Sequence, residues 1–269
     1  MSLHFTEEEQ GQYETELREI HFHSSLGFLN SHNGLRRGSL HLILGTTGGG
    51  KSTLVRTLLR DLIFNPKNDL QIAVWLSEET VKDYKRQVAY GMPSHDRLLS
   101  TNAYSELDSS GRHDKKLAFF EWLEFYKPDV LLLDNITTSS MYNDKSAAEQ
   151  GAFASKLKEL TTKLNMATVI IAHTDAKATD SMGRLININD IRGSKTLGNL
   201  VEFAYILQRF EINESFYPTI RIVKHRSQEL THALYYLQYD NRLRSFKGDL
   251  AIDFKKFKEM YGQRNRLDK

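Results

Sequence analysis

Nine residues constrain this chain more than any other feature. Gly45–Thr53 reads GTTGGGKST, and it stands between the short apolar run LHLILG (40 to 45) and a stretch from Lys51 that sets Leu54, Val55, Leu58, Leu59 and Leu62 on one helical face. The order is strand, glycine-dense loop, amphipathic helix. A loop this poor in Cβ atoms can curl its backbone N–H groups round an anion at the helix N-terminus, where the helix dipole favours negative charge.

The spacing matches G-x-x-x-x-G-K-[ST] at Gly45, Gly50, Lys51 and Ser52, with Thr46, Thr47, Gly48, Gly49 and Thr53 completing the cradle. In that arrangement Lys51 reaches the terminal phosphates and the Ser52 hydroxyl ligates Mg²⁺. The sequence therefore predicts a bound nucleoside triphosphate.

Such a site needs an acid at the end of a neighbouring apolar strand, and Asp134 in LLLD fills that place as a second metal-side group; Asp129, at the strand's start, reads as a cap. Glu78 and Glu79 follow the apolar run ending VWLS. The carboxyl ends of parallel strands gather at one edge, so these acids can face the loop's crevice, and Glu78 is the expected orienter of the attacking water. The alternative is that one or both begin the next helix, where acids suit the dipole.

The rest of the chain alternates in kind. QIAVWLS (71 to 77), DVLLLDN (129 to 135) and ATVIIAH (167 to 173) read as buried strands, and 80–90, 115–126 and 146–165 as helices, with the polar stretch 91–111 as a loop. Phe153, Leu157, Leu160 and Leu164 are expected to face inward. Beyond Lys195, VEFAYILQRF, TIRIVKHR and HALYYLQY are strand-like runs joined by short turns. The expected fold class is α/β: a mainly parallel sheet flanked by helices, with an antiparallel C-terminal strand extension.

The chain of 269 residues has no cysteine, which excludes disulfides, thiolate zinc sites and a cysteine nucleophile, and fits a reducing cytoplasm. A net charge of +2 does not announce nucleic acid. No run approaches the ~20 apolar residues of a membrane span, and the N-terminus is acidic where a signal peptide would be basic and then apolar, so a soluble, cytoplasmic protein is expected. Residues 1–20 carry net −5 from six acids and one arginine, and 241–269 carry +5 from nine basic and four acidic residues. Thr6 and Glu9 form a capping-box pair ahead of Tyr13, Leu17 and Ile20, predicting a short N-terminal helix. His21 and His23 have no third ligand placed beside them and read as ordinary polar residues. Phe254, Phe257 and Tyr261 form an apolar stripe beside Lys255, Lys256 and Lys258, an expected amphipathic helix.

Taken in order, GLRRGSLHLILGTTGGGKSTL, VWLSEE, LLLDN, VIIAH, DIRGSKTLGNLVEFAYILQR and IVKHR resemble the ATPase motifs of the RecA-like family, particularly its DnaB-type replicative helicase branch, over roughly residues 25–240. The resemblance implies ATP and Mg²⁺ as ligands, Glu78 as general base, and His173 as the γ-phosphate sensor where the helicases usually carry Gln. It also implies that Lys224 and Arg226 are presented to the ATP of the neighbouring subunit, Arg226 acting as a finger. Two cations one residue apart on a strand point to one side, which agrees with that role. The loops 136–145 and 175–189 stand where the family lines a channel for single-stranded DNA, offering Lys145, Lys177 and Arg184 as cations and Tyr142 for stacking.

The implied organisation is an acidic N-terminal arm (1–24), an ATPase domain (25–240) and a basic tail (241–269). The implied protein is a homo-oligomeric ATP-hydrolysing helicase or translocase on single-stranded DNA, hexameric in the family's manner. With about two dozen residues before the resemblance begins, a stand-alone motor is expected. A filament-forming recombinase or recombination mediator, and a non-motor switch in which ATP-dependent assembly recruits a partner, are the alternatives.

Overall fold

The computed structural model describes residues 22–64 apart from 23 and 33, then 70–77, 82, 86, 102–105, 119–175, 185–193, 195–212, 215–226 and 234–253. The expected N-terminal helix, Glu78, Glu79, His21, His23, Lys177, Arg184, the apolar stripe of the tail and all of the helix expected at 80–90 except residues 82 and 86, which are helical, lie outside these residues.

The elements run α1 (Gly27–Asn30), β1 (Leu40–Gly45), α2 (Lys51–Phe64), β2 (Ile72–Leu76), β3 (Asn102–Ser105), α3 (Phe119–Tyr126), β4 (Val130–Asp134), α4 (Ala147–Lys163), β5 (Ala167–His173), a 3₁₀ turn (Ile188–Asp190), α5 (Lys195–Leu200), β6 (Phe203–Ile212), β7 (Ser215–His225), β8 (Leu234–Asp240) and β9 (Ser245–Ile252). All nine described strands form one sheet in the order β3-β2-β4-β5-β1-β6-β7-β8-β9. Pairing is parallel from β3 through β6 and antiparallel from β6 to β9.

Continuous apolar runs suit strands covered on both faces, and every residue of β1 and β2 is buried. On one face Ile43, Val74, Leu132 and Ile171 pack under α2 through Leu54, Leu58 and Leu62. On the other, Leu42, Leu133 and Ile170 pack under α3 and α4 through Trp122, Leu157 and Leu160. Helix α4 starts at a capping box: Ser146 N–H donates to Glu149 Oε2 at 2.8 Å, and Glu149 N–H donates to Ser146 Oγ at 3.3 Å. No helix among the described residues is long and apolar enough to cross a membrane.

Two expectations are corrected. The polar stretch 91–111 is not all loop, since Asn102–Ser105 forms β3 and adds a parallel strand at the edge beside β2. Residue 240 does not end the core either. Strand β9 pairs along β8, Phe246 is buried against α2, and the Phe246 N–H donates to Thr57 Oγ1 at 2.9 Å. Asp249 reaches back to α1, accepting from the Gly27 and Phe28 N–H groups at 2.6 Å each.

Candidate nucleotide-binding site

Parallel register brings the carboxyl ends of the central strands level. Gly45 pairs with His173 on one side and Leu207 on the other, and Leu76 pairs with Asp134. The loop after β1 and the helix α2 stand above this edge, and a cavity of about 370 Å³ opens there. Thr47, Gly48, Gly50, Lys51, Ser52 and Thr53 line it from the loop and helix, and Asp134, Asn135 and His173 from the strand ends. The structure thus brings Lys51, Ser52, Asp134 and His173 together on one cavity.

Backbone geometry explains the glycines. A Cβ on Gly45 would meet the Leu207 carbonyl oxygen at 2.7 Å, and Gly48 sits at φ +73° with open space around it. The buried Lys51 ammonium donates to the carbonyls of Gly45 at 3.1 Å and Thr46 at 2.6 Å, which bends it over its own loop. Thr47 Oγ1 and His173 Nδ1 approach to 3.4 Å.

The strand ends are fastened by hydroxyl and amide side chains that no motif marks. Ser77 Oγ donates to the Asn135 carbonyl at 2.7 Å and accepts from the Asn135 N–H at 3.0 Å, and the Ser77 N–H donates to the Asp134 carbonyl at 3.0 Å. The end of β2, directly ahead of Glu78, is therefore stitched to the acid of β4. Thr137 Oγ1 donates to Asn135 Oδ1 at 2.8 Å and accepts from the His173 N–H at 3.1 Å. The His173 carbonyl in turn accepts from the Arg192 N–H at 2.9 Å, tying the DIRGS segment to the same edge. The available signal was the single Asn after Asp134 and the run of hydroxyls after it.

The donor set fits the ligands that the loop implies. Backbone N–H groups, a buried ammonium, a hydroxyl and a carboxylate on one cavity are the hard donors of a phosphate and magnesium site. Ser52 and Asp134 are the groups that would hold Mg²⁺, which when bound neutralises phosphate charge.

Asp129 behaves as a cap, accepting from the Gln71 N–H at 2.9 Å and pairing with Arg37 at 2.7 Å. Lys145 is exposed at the end of the turns that follow β4. Tyr142 is a correction. Its ring is 1% exposed in the core beside Phe153, so it offers no stacking face to a nucleic acid.

Lys224 and Arg226 lie away from this cavity. His225 pairs with Phe203, while Gly45 pairs with Leu207, so the end of β7 and the phosphate loop are at opposite edges of the sheet. The separation along β6 from 203 to 207 is about 13 Å at ~3.3 Å per residue. Lys224 Nζ donates to the carbonyls of Gly198 at 3.0 Å and Asn199 at 2.9 Å, at the end of α5. Burial, reinforced by the Arg226 charge, holds the Lys224 ammonium below the usual lysine range, against an opposing pull from Glu202. Arg226 Nη1 lies 3.5 Å from Glu202 Oε1.

A parallel sheet with helices on both faces, a glycine loop leading into a helix, and an acid on a neighbouring strand end define a P-loop ATPase. The sequence family described as AAA domain matches residues 30–179, more than half of the chain, and the chain belongs to that family. The matched span holds the phosphate loop, Asp134 and His173, and stops ahead of the DIRGS and KHR segments. No curated protein matches the chain.

Proposed function

We propose that this ATPase is an oligomeric motor of the DnaB type, a hexameric helicase or translocase that moves on single-stranded DNA and holds ATP between subunits. The observation that carries the reading is the position of Lys224 and Arg226 at the sheet edge opposite their own phosphate loop. Two cations placed there cannot serve the ATP of their own chain; the exposed Arg226 head can reach a neighbour's, and Lys224 would join it by leaving the α5 carbonyls that hold it. In this reading Lys51 and Ser52 bind the phosphates and Mg²⁺ with Asp134, Glu78 orients water, and His173 registers the γ-phosphate. Arg226, with Lys224, stabilises transition-state charge from next door. The His173 N–H donates to Thr137, in the segment that leads to Lys145, and the His173 carbonyl accepts from Arg192; Lys145, Lys177 and Arg184 are the proposed DNA contacts, and motion of the sensor strand would reach them through these ties.

The test is ATP turnover with and without single-stranded DNA, measured beside the native mass under ATP. Expected are a defined oligomer, stimulation by the strand, and unwinding of a tailed duplex. An Arg226→Ala protein that hydrolyses ATP normally at saturating concentration would sink the shared site. Turnover indifferent to any nucleic acid would sink the motor.

A further inference from the structure

Glu202 opens the approach to β6 as a buried carboxylate with three donors. The Leu40 N–H donates to Oε2 at 2.9 Å, Lys158 Nζ lies 2.6 Å from Oε1, and Arg226 Nη1 lies 3.5 Å from the same Oε1. One oxygen thus serves two cations. Lys158, its side chain 26% exposed and also donating to the Gly38 carbonyl at 3.1 Å, holds the short contact. Arg226, 58% exposed, has the long one. The guanidinium contact is one-pronged and long: Arg226 meets Oε1 alone, while Oε2 accepts from a backbone N–H of β1.

The chain on either side of this contact is held firmly. Lys224 is fixed to the last carbonyls of α5, and His225 is buried between the His32 ring at 5.7 Å and the Phe203 ring at 4.7 Å. The backbone that carries the guanidinium is therefore anchored while its head keeps a single weak contact.

We propose that Glu202 is a positioning residue for Arg226: by dividing one carboxylate oxygen between Lys158 and Arg226, it aims the guanidinium toward a neighbouring subunit without capturing it. The inference rests on reading Arg226 as a finger for the next subunit's ATP. A carboxylate free of Lys158 would compete with the phosphates for the finger, and no carboxylate at all would leave the guanidinium unaimed.

The experiment mixes subunits. Recipients carry Arg226→Ala, and donors carry Lys51→Ala, so turnover in the mixture comes from recipient ATP sites served by donor fingers. Donors with Glu202 intact are expected to restore turnover. Donors that also carry Glu202→Gln are expected to restore about a tenth as much, with KM for ATP within about twofold, because the ATP-binding subunit is unaltered and only finger geometry is lost. The glutamine oxygen still accepts from Leu40, so the strand start is preserved. Should that donor unfold, Glu202→Gln with Lys158→Met removes both charges and leaves no buried cation unpaired, and the same tenfold fall is expected. Full restoration by either Glu202 variant overturns the inference and leaves the shared site standing. Failure of the Glu202-intact donors overturns the shared site itself, and the inference with it.

Discussion

Gly45 and Leu207 meet backbone to backbone across β1 and β6, and a Cβ at Gly45 would lie 2.7 Å from the Leu207 carbonyl oxygen and 3.3 Å from Lys51 Cγ. Neither the strand carbonyl nor the buried lysine stem can give way cheaply. Gly45→Ala is expected to cost about 1–3 kcal/mol of stability by urea unfolding, as overpacking does elsewhere, and to abolish nucleotide binding in an equilibrium titration. Gly248→Ala, whose Cβ would find its nearest neighbour at 3.9 Å, is the control and should stay within about 0.5 kcal/mol.

Asp134 stands on the cavity with Ser52, the hydroxyl at the start of α2. Asp134→Asn keeps the shape and removes the charge that would face the metal. ATP turnover should fall by about 10²-fold or more, and the Mg²⁺ concentration for half-maximal turnover should rise. A Mg²⁺ titration of wild-type and variant rates checks both, and an unchanged titration would remove Asp134 from the site.

The sequence exposed those parts of the fold whose local pattern and tertiary role coincide. Strands β1 and β5 are mostly apolar because both faces are covered, and α2 shows its stripe because one face is covered. Strand β3 escaped since NAYS is polar and gains its place by pairing with β2 at the sheet edge, which no local period records. Strand β9, SFKGDLAI, was hidden by its position in a basic segment; Phe246 alone marks its buried side near α2. For the site, the motif spacing marked Lys51 and Ser52, the abrupt end of an apolar strand marked Asp134, and His173 came from the family resemblance alone; the phosphate loop and strand ends are local features. Asn135, Thr137 and Glu202 act through Ser77, His173 and Arg226, which lie 58, 36 and 24 residues away in the chain, and only the folded edges reveal them.

Tyr142 shows the same limit from the other side. An aromatic in a polar loop reads as a surface ligand, yet it is fully buried against Phe153 and beside Gly193, whose added Cβ would lie 3.1 Å from its ring. Tyr142→Ala should therefore lower stability by about 3–5 kcal/mol, as other large aromatic truncations do. Chemical denaturation checks this; a variant of wild-type stability would return Tyr142 to the surface.

Thr137 joins the strand that ends in Asp134 to the strand that ends in His173, donating to Asn135 Oδ1 and accepting from the His173 N–H. Thr137→Val retains the volume and removes both bonds, leaving a buried N–H without its acceptor. A loss of about 1–3 kcal/mol is expected. Turnover should also fall, since the His173 backbone is no longer held; urea unfolding and steady-state kinetics on the same preparation measure the two effects.

His225 supplies a pH dependence with a definite sign. It is buried between Lys224 and Arg226, its Nδ1 has no hydrogen-bond partner, and Nε2 meets the His32 carbonyl at 3.5 Å. The groups facing it are the His32 ring, Phe203 and the Arg36 charge, in addition to its two cationic neighbours in the chain. Burial pushes its pKa below the ordinary histidine value, with the His32 and Arg36 charges acting in the same direction and the His32 carbonyl opposing them. The unfolded chain then takes up a proton at a higher pH than the folded one, so the neutral-ring fold keeps its full stability above about pH 6.5 and loses it as pH falls below that value. His225→Phe retains the ring contacts, removes the unpartnered nitrogen and cannot titrate. Its melting temperature should equal or exceed that of the wild type at pH 8, and the difference should widen by about 2–4 °C for each kcal/mol lost by the wild type as pH falls from 7 to 5. Parallel melting curves for the two proteins across that range would show that His225 is protonated as readily in the fold as outside it.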